Sequence, residues 1–274
     1  MMALPFPTLL RFFAMLALCL QPVFSLVVMV PLYVYPDGKG LSAWKSLTTV
    51  IRNHPQVQYL VIINPDSGPG SGDYPDSNYI DGVSKLNAFD NVNLVGYVDT
   101  WFTSVPLDTV YANIDKYANW ANYADTNITI NGIFFDDMTN NANHTAYDYM
   151  SSVSNYAYSS FSDSSSPTVV FNPGCKVDAT YFQWADYIIE FEDSLSDYNG
   201  LGPIKRKKLP MREKQAIIAH TANPGLTKLQ QLLTPIYNQH IGAVYMTKQC
   251  CYNGISSGQL RDISTIIGKM QRRE

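Results

Sequence analysis

Short apolar runs rich in Val, Ile, Tyr and Phe recur along the chain, separated by longer polar stretches whose apolar positions fall at helical spacing. Eight such runs predict strands: Val27 to Val34, Tyr59 to Ile63, Asn93 to Val98, Gly132 to Phe135, Thr168 to Phe171, Tyr187 to Phe191, Ala216 to Ala219 and Ala243 to Met246. Their near-continuous apolarity is what a parallel strand buried on both faces requires. The intervening stretches predict helices over Leu41 to Asn53, Tyr79 to Phe89, Leu107 to Tyr123 and Ala142 to Phe161. Further helices are predicted at Ala179 to Trp184, Lys207 to Lys214, Thr227 to Gln239 and Ser256 to Met270. Ser42 is placed to cap the first helix, and Asp76-Ser77 the second.

Eight strand-helix repeats with no Gly-x-Gly-x-x-Gly after the first strand favour an α/β fold of the closed (β/α)8 TIM-barrel type over an open doubly wound sheet. A chain of 274 residues, 46% of them apolar, suits one such domain. Arg11 followed by the apolar run Phe12 to Leu20, then Gln21-Pro22 and a small Ser25, reads as a secretory signal over residues 1–25. Nine apolar residues are too few to span a bilayer, which needs about 20. The mature barrel is therefore expected over residues 26–274, outside the cell or at its surface, with no membrane span and as a monomer. Ser162 to Pro167 reads as a flexible connection. The run Lys205-Arg206-Lys207-Lys208 reads as a solvated surface.

Active sites of parallel barrels lie where the strands end. Just past or near those ends stand Tyr35, Asn64, Asp99, Trp101, Asp136, Asp137, Asn172, Glu190, Glu192 and His220. A run such as Gly-Ile-Phe-Phe ending in Asp136-Asp137 puts charge at the barrel mouth, and Glu192 on the sixth strand adds a second source. Two carboxyl groups are what glycoside hydrolysis needs, one to protonate the leaving oxygen and one to attack or to activate water. Glu190 and Glu192 share parity, which predicts one face for both, with Glu190 lower as a hydrogen-bonding partner. The competing role for Asp136-Asp137 is capping the next helix. Tyr35, Trp101 and Phe102 are candidates for stacking on sugar faces.

Other chemistries fit less well. A net charge of −4 offers no field for phosphates, so nucleic acid is not an expected partner. No Gly-x-Ser-x-Gly elbow is present. His54, His144, His220 and His240 are scattered, so neither a metal nor another cofactor is expected. Two sequons, at Asn127 and Asn143, fit export. Removing the signal takes Cys19 and leaves Cys175, Cys250 and Cys251, for which one bridge from Cys175 to a member of the vicinal pair is expected.

Several segments together resemble the spherulin-4 family, also classed as glycoside hydrolase family 135. They are Val30 to Pro36, Leu60 to Gly70, Asn78-Tyr79-Ile80, Val95 to Val98, Gly132 to Asp137, Phe171 to Gly174 and Phe191-Glu192-Asp193. The resemblance implies a secreted barrel of fungal or slime-mould type acting on α-1,4-linked N-acetylgalactosamine in galactosaminogalactan, with a polysaccharide containing amino sugar as partner. The family's acidic motif maps onto Asp136, Asp137 and Glu192. That motif has Asp-Glu after Phe-Phe, so Asp137 here is one methylene shorter. Analogy with barrels acting on α-galactosides implies that Asp136 or Asp137 is nucleophile or electrostatic stabiliser and Glu192 general acid/base. A non-catalytic glycan-binding or structural protein of a cell wall or spore coat is the alternative.

Overall fold

The computed structural model describes residues 24–37, 42–161, 167–200 and 207–272. Eight parallel strands follow one another around a closed barrel in chain order. They are β1 (Val27–Leu32), β2 (Tyr59–Ile63), β3 (Val92–Asp99), β4 (Gly132–Asp136), β5 (Thr168–Phe171), β6 (Tyr187–Ser194), β7 (Gln215–His220) and β8 (Ala243–Met246). Outside them run α1 (Lys45–Asn53), α2 (Ser77–Asn87), α3 (Leu107–Asn119), α4 (His144–Ser160), α5 (Leu209–Arg212), α6 (Leu226–Asn238) and α7 (Ser257–Gln271). The expected (β/α)8 barrel is present.

The apolar runs become strands because each is covered on both faces. All five residues of β2 are buried, as are all four of β5 and of β8. Each large aliphatic or aromatic side chain withdrawn this way contributes about 1.5–3 kcal/mol. Where β4 enters the barrel the backbones come close: a Cβ on Gly132 would lie 1.9 Å from the carbonyl oxygen of Thr168. Gly132 also has φ 153°, so any side chain there would push apart the β4–β5 pair and displace the strand that carries Asp136.

Pairing is uneven around the ring. β1–β2 and β2–β3 each share five register pairs, whereas β5–β6 share two, Val170 with Tyr187 and Phe171 with Ile188. β8 meets β1 through two pairs as well, Val27 with Ala243 and Val28 with Val244. Between Ile189 and Phe191 the β6–β7 register shifts, leaving Glu190 as an extra residue. Such a bulge breaks the two-residue alternation of side chains.

Several expectations change at element ends. The first helix begins at Lys45 behind Trp44, and the Ser42 hydroxyl bonds Asp37 instead of capping it; Leu41 is outside the described residues. Asp76 does cap α2, accepting from the Asn78 and Tyr79 amides. The stretch at Ala179 is one 3-10 segment ending at Gln183, and the predicted helix over Lys207 to Lys214 contracts to α5, which begins Leu209-Pro210. The signal through Val23, the stretch 162–166 and the basic residues Lys205 and Arg206 fall outside the described residues. Phe24 packs on the His240 ring at 4.5 Å, and the Ser25 hydroxyl bonds the Gln271 amide group. Among the described residues no helix is long and apolar enough to cross a membrane.

Candidate active site

Four strand ends and one loop build the mouth of the barrel. Asp99 closes β3 in register with Asp136 at the end of β4. Asn172 follows β5, its amide N–H donating to the Phe135 carbonyl and its own carbonyl accepting from the Met138 amide. Glu192 stands on the outer part of β6, where its N–H donates to Gly174. Tyr252 comes from the loop after β8.

The side chains converge on one amide. Asn172 Nδ2 donates to Asp136 Oδ1 at 2.7 Å and to Glu192 Oε2 at 2.6 Å. Tyr252 donates its phenol to the other Glu192 oxygen, Oε1, at 2.5 Å. The Tyr97 phenol lies near the Asp136 carboxyl, and the Tyr33 ring stands edge-on to both Tyr97 and Tyr252, at 5.6 and 5.8 Å. Burial first, then neighbouring carboxylate charge, pushes Tyr33, Tyr97 and Tyr252 well above the usual phenol range. All three therefore stay protonated. The Asp136 carboxyl is pushed up to about 6, by burial foremost and by the Glu192 charge, against the lowering effect of the neighbouring Tyr97 phenol, the Asn172 amide and the Asp137 N–H.

Asp137 differs from its neighbour. It is exposed, has a left-handed backbone at φ 46°, and has its carboxyl raised by partial burial and by Asp99. Its carbonyl accepts from the Thr100 hydroxyl at 3.1 Å and from the Phe102 amide at 2.7 Å, tying the turn after β3 to the end of β4. Neither aspartate caps α4, since Asn143 does so by accepting from the Ala146 amide.

The remaining candidates scatter. Asp99 and Trp101 adjoin the cluster, with the Trp101 amide donating to Asp99 Oδ1 at 2.7 Å. His220 lies at its edge, 4.0 Å from Asp193, its ring 6.5 Å from that of Tyr252. Tyr35 instead donates to Asp76 and accepts from Asn78 beside α2, and Asn64 accepts the Gly68 amide to brace the loop after β2.

Glu190 corrects the parity argument. The bulge sends it away from Glu192, and its fully buried carboxylate takes Lys207 at 2.6 Å, the Val177 amide and the Gln215 side chain. Fully buried and held by three donors, it is closed off from the barrel mouth. Lys207 is likewise not a solvated member of a basic run; it lies 3.9 Å above the Phe182 ring. The expected bridge is absent too, because Cys175, Cys250 and Cys251 are all free and exposed. Asn127 and Asn143 are both exposed. Among the described residues no group of three or more His, Cys, Asp or Glu could hold a metal ion.

The profile of spherulation-specific family 4 matches residues 27–266, which is nearly the whole barrel. The chain belongs to this family. Spherulin-4 of Physarum polycephalum is 30% identical over 255 residues, covering 87% of this chain and 69% of that protein. Among solved structures, Aspergillus clavatus Sph3 in complex with GalNAc superposes with a TM-score of 0.81 at 28% identity, covering 89% of this chain and 98% of that one. A chitinase from Bacteroides thetaiotaomicron matches at TM-score 0.57 and 10% identity, over 91% and 98% of the two chains, and shares the fold alone. The spherulin-4 barrel thus shares its fold with a GalNAc-bound relative and with a chitinase.

Sequence reasoning missed three residues of this spherulin-4 site: Tyr33, Tyr97 and Tyr252. Tyr97 carried a usable signal, standing two residues before Asp99 on the same strand and hence on the same face. Tyr33 sat inside a matched segment but reads as strand packing. Tyr252 sits in an irregular loop, where no periodicity marks it.

Proposed function

We propose that this protein is a secreted, retaining glycoside hydrolase that cleaves α-1,4-linked N-acetylgalactosamine within a galactosaminogalactan-type polysaccharide, working as a monomer. The observation that carries the reading is the shared amide. Two carboxylate oxygens held at 2.7 and 2.6 Å by one nitrogen lie no farther apart than those bonds laid end to end. For these two oxygens that fits the spacing of about 5 Å typical of retaining pairs better than the about 6.5–9.5 Å of inverting ones. The GalNAc bound by Sph3 supports an amino-sugar substrate, and the apolar leader and exposed sequons support action outside the cell.

The electrostatics divide the labour. Asp136, raised to about 6, is the member that holds a proton in mildly acidic medium and is placed to deliver it to the glycosidic oxygen. Glu192, with Tyr252 and Asn172 each donating to one oxygen, is the oriented carboxylate that attacks the anomeric carbon. Asp136, then a base, activates the water that releases the sugar. This allocation inverts the one that analogy with α-galactoside barrels implies.

The test is hydrolysis of purified galactosaminogalactan, with the first-formed anomer followed by NMR. The α-anomer is expected first, Glu192→Gln is expected to reduce turnover by about 10²–10⁴-fold, and azide is expected to rescue Glu192→Ala as a glycosyl azide. Hydrolysis that survives both Glu192→Gln and Asp136→Asn would sink the reading. Absent hydrolysis with intact glycan binding would favour the non-catalytic role.

A further inference from the structure

Trp101, Phe102 and Thr103 have φ of 37°, 54° and 73°, three consecutive non-glycine residues in the left-handed region. Each such residue costs about 1–2 kcal/mol relative to its right-handed form, and a turn that served only to connect β3 to α3 would place Gly or Asn there. The strain is held by a set of bonds to the carboxylate strand. The Thr100 amide and hydroxyl both donate to the Asp136 carbonyl, at 3.0 and 2.9 Å, and the Phe102 amide donates to the Asp137 carbonyl at 2.7 Å. Its product is an exposed pair of rings: Trp101 is 64% exposed and Phe102 55%, whereas Trp44 and Trp120 are buried. Single exposed apolar residues need no explanation, but two adjacent aromatics on a strained turn clamped beside a catalytic carboxylate do.

We infer that Trp101 and Phe102 form a stacking subsite for a second pyranose ring of the glycan, next to the ring held by Asp136 and Glu192. The ligand class is a chain of N-acetylhexosamine units, whose ring faces present C–H groups to the aromatics. The site therefore reads chain length as well as the sugar at the cleavage point. This inference rests on the glycan reading of the barrel mouth.

Binding to the full-length protein carrying Asp136→Asn separates the two claims. GalNAc and an α-1,4-linked GalNAc hexasaccharide are each titrated by calorimetry, with tryptophan emission followed in parallel. The hexasaccharide is expected to shift the emission of the exposed Trp101. The further double change Trp101→Ala with Phe102→Ala is expected to weaken hexasaccharide binding by about ten- to one-hundred-fold, the range for losing buried aromatic contact, and to leave GalNAc binding unchanged. Trp101→Tyr keeps a ring and is expected to retain most of the affinity. Phe102→Gly is expected to raise the melting temperature while weakening binding, a pair of opposite signs that a merely structural turn would not give.

Hexasaccharide affinity unaffected by the double change, or no hexasaccharide binding, overturns the inference. So does a wild-type dimer that the double change dissociates without altering affinity, since the rings would then face a second copy of the chain. Binding that depends on Trp101 without hydrolysis by the unmodified protein keeps the subsite and removes the catalytic reading. Hydrolysis of long chains that is indifferent to both rings does the reverse.

Discussion

Glu190 and Glu192 stand two residues apart on β6 and lead different lives. Glu190 is sealed from solvent with a cation against it and two further donors. Glu192 is only partly buried and takes neutral donors from Tyr252 and Asn172 while sharing the latter with a second carboxyl. The bulge at Glu190 is what separates them. The contrast teaches that a carboxylate enclosed with a lysine belongs to the barrel wall and is costly only to unpair, whereas one oriented by uncharged donors stays open at the mouth.

The sharpest break in this contrast is Lys207→Met. Leaving Glu190 buried and unpaired is expected to cost about 3–5 kcal/mol, read from denaturant unfolding, and Lys207→Met combined with Glu190→Gln is expected to recover most of it. Should the single change prove as mild as a surface substitution, the two glutamates are less different than described.

Asp136→Asn comes next and acts with the opposite sign. A carboxyl whose pKa rises from 3.8 to about 6 in the folded state makes that state bind the proton more tightly. Its contribution to stability is fully present below pH 4 and is lost as the pH climbs through 6, a loss of about 3 kcal/mol. Asparagine does not ionise, so the variant is expected to gain stability at neutral pH by up to that amount and to show a flatter profile between pH 4 and 6, while hydrolysis is lost. Parallel profiles for the two proteins would refute it.

The mildest change is Tyr252→Phe. Removing a hydrogen bond to a charged group is worth about 1.5–3 kcal/mol, so kcat is expected to fall by about ten- to one-hundred-fold with KM little altered. An equal loss on Glu190→Gln, measured on the same substrate, would erase the distinction between the two positions.

Much of the barrel could be read from periodicity, because a parallel strand buried on both faces must be apolar throughout, and all eight predicted strands overlap observed ones. Asp136, Asp137 and Glu192 were legible for a related reason, since charge directly after such a run has only the barrel mouth to occupy. Glu190 was not. Parity holds only while register does, and nothing local in Tyr-Ile-Ile-Glu-Phe-Glu announces an extra residue. Lys207 was hidden similarly, because a charge run looks solvated until a buried partner 17 positions away is known. Tyr252, far along the chain in an irregular loop, meets Glu192 only through barrel closure.

That closure has two thin joints, at β5–β6 and at β8–β1, with two register pairs each. Cutting the ring at both divides it into β1–β5, which carries Asp136 and Asn172, and β6–β8 with its following loop, which carries Glu192 and Tyr252. The two carboxylates that share the Asn172 amide thus straddle the molecule's two halves, and that amide is a staple across the β5–β6 joint. The gap between the carboxylates is set by how the halves meet, so on the proposed function the anomeric outcome is a property of the whole ring's fit.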